Sequence, residues 1–96
     1  MKVHELLATA TQWTQGSLAR DSDGFSVDPE ASRAVKWCLL GAIKRCYPDS
    51  QEQMVIGKMV REALVWRGNH ITVAQWNDST YPNFHAVKKL ITKLDI

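Results

Sequence analysis

Four groups of side chains in this 96-residue chain have types and spacing that could do chemistry. Trp76-Asn77-Asp78 sets an amide and a carboxylate beside a large aromatic, which could present both to a ligand in a cleft. The stronger expectation is structural. Trp76 plugs the core, and the Asn77 and Asp78 side chains bond loop or helix-end backbone, as these residues commonly do at turns. Arg20-Asp21-Ser22-Asp23-Gly24 opens like a calcium loop, with carboxylates at alternate positions followed by glycine. It then departs from one, because a calcium loop needs a bidentate Glu at its twelfth position, and counting from Asp21 that residue is Ser32. An Asx-turn without metal is expected, with Arg20 pairing to a carboxylate nearby.

Trp37 and the lysines of the last helix complete the set. On a helical projection Trp37 falls beside Arg33 and Lys44, away from the Cys38/Ala42 face. Either the fold covers it, with the Trp76 segment as lid, or it belongs to a partner surface, where Trp and Arg are favoured anchors. Intramolecular cover is preferred. Lys88, Lys89 and Lys93, with His85 nearby, could touch phosphates or an acidic protein patch. Plain solvation, with a helix-dipole contribution of some tenths of a kcal/mol, explains them equally. There is no Gly-rich phosphate loop, His-x-x-x-His pair or G-x-S-x-G nucleophile motif, and His4, His70 and His85 are scattered over three segments. No metal and no cofactor are expected.

These residues need elements to position them. Val3, Leu6, Leu7, Ala10 and Trp13 recur at helical spacing and predict a first helix over residues 3–14, ended by Gly16. A polar stretch over residues 16–27 follows, long for a structureless connection and so a first place to look for function. Asp28-Pro29 is a helix start signal. A central helix is expected from Pro29 to Tyr47, with Ala31, Val35, Cys38, Leu39, Ala42, Ile43 and Cys46 on its buried side. Gly41 inside it implies the close approach of another backbone. Cys38 and Cys46, two turns or about 12 Å apart on that helix, are too distant to bridge and are expected as small core residues.

Ser50 and Gln53 form a capping-box signature for a third helix over residues 51–66. Its broad apolar side is Val55, Ile56, Met59, Val60, Ala63, Leu64 and Trp66, and its wet face Lys58, Arg61 and Glu62. Residues 71–76 are β-branched enough to suggest a strand. The Thr72/Gln75 capping-box spacing favours a short helix, since a lone strand lacks a partner. After a loop over residues 77–82, Asn83 caps a last helix with Phe84, Val87, Leu90, Ile91 and Leu94 as its apolar stripe. The expectation is a single all-α domain spanning residues 1–96, a small bundle of four main helices plus one short helix around the central one.

Composition narrows the function classes. Hydrophobic residues are 45% and charged residues 23%, which is globular rather than disordered. The net charge is +2, from Lys+Arg 12 against Asp+Glu 10, and each half carries six basic and five acidic residues. That lacks the clustered excess of a dedicated DNA-binding domain. No apolar stretch suits a signal peptide or membrane span, so a cytoplasmic setting without membrane contact is expected.

Ala34-Val35-Lys36-Trp37-Cys38-Leu39-Leu40-Gly41-Ala42-Ile43, Trp76-Asn77-Asp78, a helix opening near Ala86-Val87, and Ala19-Arg20-Asp21 with its Asp-Gly turn carry a resemblance. Together they resemble a small uncharacterised bacterial and phage domain family with a W-C-L-x-G-A helix and a late W-N-D motif. The resemblance implies a prokaryotic or phage setting and supplies no catalytic residues. Ser79-Thr80-Tyr81-Pro82-Asn83 departs from the family's Gly- and Arg-containing turn, so the resemblance implies no function for that turn here.

The chain presents no convergent acid, base and nucleophile set. The expected function is a non-enzymatic interaction module: a small phage or bacterial accessory protein that binds a host protein or nucleoprotein complex, such as an anti-CRISPR-type defence inhibitor. A second class is nucleic-acid binding through Lys88, Lys89 and Lys93, with Lys58 and Arg61. A third is a small enzyme or metal-binding protein using Asp21, Asp23 or Asp78.

Overall fold

The computed structural model describes residues 1–79 and 83–96. Its helices are α1 (Val3–Leu6), α2 (Leu39–Cys46), α3 (Ser50–Trp66), α4 (Val73–Asp78) and α5 (Phe84–Leu94), with a 3-10 turn at Ala10–Gln12. Two short strands, β1 (Ala19–Arg20) and β2 (Lys36–Trp37), pair antiparallel with Ala19 opposite Trp37 and Arg20 opposite Lys36. The architecture is therefore mostly helical with a small sheet, and the all-α expectation is corrected in that respect.

The second half of the chain follows its local signals. The Asp49 carboxylate accepts from Gln51 N at 2.9 Å and Glu52 N at 3.1 Å, so the cap of α3 lies one residue before Ser50. The Thr72/Gln75 box closes reciprocally at 3.1 and 3.0 Å and starts α4, which settles residues 73–78 as helix. Asn83 Oδ1 accepts from Ala86 N at 2.9 Å and caps α5. Val87, Leu90 and Ile91 of α5 are buried, as the stripe predicted. The expected loop over residues 77–82 is corrected at Asn77 and Asp78, which end α4, and the rest of it, with the departure at residues 79–83, falls partly on residues 80–82, outside the described residues.

The first half does not follow its periodicity. The helix expected over residues 3–14 stops at Leu6, and a new capping box, with Thr9 N donating to Gln12 Oε1 at 2.9 Å, restarts the chain as a 3-10 turn. Trp13 then leaves helical geometry and bridges in parallel to Trp37. The central helix expected from Pro29 to Tyr47 is only Leu39–Cys46. Asp28 Oδ1 accepts from Glu30 N at 2.8 Å, so Asp28-Pro29 opens a turn. Val35 N then donates to Arg20 O and Cys38 N to Leu18 O, which pulls residues 35–38 into extended pairing. Cys38 becomes the N-cap of α2, its Sγ accepting from Gly41 N at 3.3 Å.

The shortened α2 is still central, packing against α1, α3, α4 and β2. Leu39, Ala42 and Ile43 join Val3, Leu7, Val60, Leu64, Trp76, Leu90 and Ile91 in one core cluster. Gly41 does what its position implied. A Cβ built there falls 1.9 Å from the Leu18 carbonyl oxygen, so only glycine lets the strand lie on the helix. Both cysteines are free, and burial pushes both thiols up, which suits packing rather than reactivity.

Candidate functional site

Asn77 is wholly buried, and every polar atom of its side chain is used. Its Oδ1 accepts from Trp13 Nε1 at 2.8 Å and from Leu39 N at 3.0 Å. Its Nδ2 donates to Thr14 O at 3.1 Å and to Asp78 Oδ1 at 3.0 Å. Asp78 Oδ1 also accepts from Gly16 N at 2.9 Å, and Gln15 Nε2 donates to Asn77 O at 2.7 Å. One short helix thus holds the 13–16 segment and the N-terminus of α2 in register. The satisfied buried amide of Asn77 has no capacity left for a ligand and works as a structural joint, whereas Asp78 is exposed and only its Oδ1 is engaged.

In the Arg20–Gly24 segment the side chains of Arg20 and Asp21 are engaged within the fold. Asp21 Oδ1 accepts from Asp23 N at 2.9 Å and Phe25 N at 3.0 Å, which is the expected Asx-turn, with Gly24 at φ +87°. The Arg20 partner differs from the expected carboxylate. Its guanidinium donates to Thr14 Oγ1, Gly24 O and Gln15 O at 3.0 to 3.1 Å, tying the turn to the 14–15 segment. Asp23 is exposed and Asp21 half-buried. Among the described residues no group of three His, Cys, Asp or Glu side chains could hold a metal ion.

Trp37 is buried at 6% exposure, so its cover is intramolecular. Its Nε1 donates to Pro29 O at 3.0 Å, and Arg45 lies 5.5 Å above the ring while donating to Pro29 O and Ala31 O. The spacing of Arg45 on the sequence gave no hint of this role, which depends on the turn at Pro29.

The basic face of α5 is divided. Lys88 Nζ donates to His4 O and to Leu7 O, satisfying carbonyls at the end of α1, and is therefore not a free cation. Lys89 and Lys93 stay exposed. Lys89 borders a cleft of about 530 Å³ with Arg67, Asn69, Trp76, Ala86 and Leu90. Among the described residues its lining offers the cationic groups of Arg67 and Lys89 and the amide of Asn69.

The surface that stands out lies on α3. Its inward side, Val60 and Leu64, is buried, with Ile56 and Ala63 packed beside them. Its outward side carries Met54 at 74% exposure, Val55 at 60% and Trp66 at 90%, with Met59 and Val65 also exposed. The broad apolar side expected of this helix is thus two faces, and only one meets the core. At 100° per residue Val55, Lys58, Glu62 and Val65 run along the outward line. Met59 and Trp66 stand on one flank of it and Met54 and Arg61 on the other, with Lys58 Nζ 3.9 Å from Glu62 Oε1. Sequence reasoning placed Val55, Met59 and Trp66 in the core, because periodicity marks an apolar stripe without saying what covers it.

Residues 1–94 match the family model described as a family of unknown function (DUF6197). The chain belongs to this family. No curated protein and no solved structure matches it. In this member of DUF6197 the motif residues that carried the resemblance do structural work: Trp37, Cys38, Gly41, Trp76 and Asn77 are all buried and join strand, helix and loop. The exposed α3 face lies outside those motifs. Among the described residues no helix is long and apolar enough to cross a membrane.

Proposed function

We propose that this member of DUF6197 is a non-enzymatic protein-interaction module that docks through the outward face of α3. The observation that carries the reading is Trp66, 90% exposed, beside Met54, Val55 and Val65 on a helix already anchored by its other side. Trp is the residue most enriched at interface hot spots, and an exposed apolar strip on a folded domain marks a contact surface. The partner surface is apolar with mixed charge at its centre, to match Lys58, Arg61 and Glu62. No side chain selects a particular host complex or defence system. Nucleic-acid binding is the weaker reading, because Lys88 is spent on backbone carbonyls and the remaining lysines of α5 are two.

A photo-crosslinking residue placed at position 66, and separately at position 93, tests this in the native cell. Adducts with protein from position 66 are expected. Adducts from position 93 alone would move the contact surface to α5 and refute the reading.

A further inference from the structure

The outward line of α3 has a symmetry that bears on what covers it. Val55, Lys58, Glu62 and Val65 follow the alternating three- and four-residue spacing of a helix–helix seam. Val55 and Val65 are equidistant from Val60, and so are Lys58 and Glu62. Two copies laid parallel would set Lys58 against Lys58 and Glu62 against Glu62. Two copies laid antiparallel about a twofold axis level with Val60 set each Lys58 against a Glu62 and each Val55 against a Val65. An isologous contact requires a patch complementary to itself in this way. Met59 and Trp66 then close one side of the seam and Met54 the other, while the two Arg61 side chains stand on the solvated rim.

We infer that the protein self-associates through α3 as an antiparallel twofold dimer. The inference rests on the reading of α3 as the docking surface and names its occupant, a second copy of this chain. Charge complementarity fixes the orientation. The polar central layer also keeps affinity moderate, as a Lys or Asn at a seam position specifies register at a cost in stability.

Sedimentation equilibrium over a wide range of protein concentration, with tryptophan emission read in parallel, is the experiment. A monomer–dimer equilibrium is expected, with a blue shift on dimerisation as Trp66 leaves water. Lys58→Glu alone and Glu62→Lys alone should each weaken the dimer about 10-fold or more, since each places like charges across the seam twice. Mixing those two variants should restore association, as should the double swap in one chain. Trp66→Ala should weaken it about 30-fold. All these positions are exposed, so circular dichroism should report folded protein throughout. Association indifferent to the charge variants, or a chain monomeric at every concentration, overturns the inference. Should the monomer still crosslink to a different protein from position 66, the docking reading survives without it; with no adduct from that position, both fall.

Discussion

Replacing Gly41 with alanine sets two effects of opposite sign against each other. In an exposed helix the change stabilises by about 1 kcal/mol, because glycine is the poorer helix former. Here the new methyl falls 1.9 Å from Leu18 O, 2.8 Å from Leu18 C and 3.2 Å from Leu18 Cα, all backbone atoms. Carbon–oxygen contacts need about 3.3 Å, so strand or helix must move by more than 1 Å. The displaced carbonyl is the one that accepts from Cys38 N at 3.1 Å, next to the β1–β2 pairing. Overpacking costs about 1–3 kcal/mol and a broken buried hydrogen bond about 1–3 more. The net expectation is a loss of about 3 kcal/mol, or roughly 12–24 °C in melting temperature for a domain of this size. Thermal denaturation followed by far-UV circular dichroism reads it directly. A Gly41→Ala protein that melts at or above the parent temperature would refute the close-approach account.

Gly57, in the middle of α3, is the matching control: nothing lies within 4 Å of an added Cβ, so Gly57→Ala should raise stability by about 1 kcal/mol in the same melt. Asn77→Ala strands the Trp13 indole N–H, the Leu39 amide and the Thr14 carbonyl, and should cost about 3–5 kcal/mol in chemical denaturation. A loss under about 1 kcal/mol would deny the joint its importance. Lys88→Ala should cost about 2 kcal/mol and expose the α1 amides to hydrogen exchange, whereas Lys89→Ala should stay within about 0.5 kcal/mol. Asp95 is held below its ordinary 3.8 by the hydrogen bond from Lys2 and by that residue's charge. Its contribution is therefore full above the usual carboxylate range and fades as pH falls through the lowered value. In Lys2→Ala its carboxyl titration, followed by NMR, should move up toward 3.8.

How legible each element was depends on where its determinants lie. The caps of α3, α4 and α5 and their buried residues sit within a few positions of one another, so residues such as Thr72, Gln75 and Asn83 announce them. Residues 8–38 are shaped by partners far along the chain. The Ala34–Cys38 run looks helical by spacing, but the Val35 and Cys38 amides are claimed by Arg20 and Leu18, and a signal of that range is invisible to a periodic pattern. The turn chemistry of Asn77 predicts bonds to backbone, but its partners Trp13 and Leu39 lie too far along the chain to be named from it. Trp66 was misplaced for a different reason. A helix with apolar residues on two sides has the same sequence signature whether the second side meets a core or a partner.

The joint at Asn77 also orders events in time. Its bonds to Trp13, Gln15 and Gly16 span more than sixty positions, and that to Leu39 thirty-eight. Contacts of such separation form late, after the loop-closure entropy between them has been met. During synthesis the amino-terminal third, poor in regular structure of its own, has no partner for the Trp13 indole until residue 77 has left the ribosome. Its two-stranded sheet must wait for the helix that locks it, and until then the nascent segment stays open to proteases and chaperones.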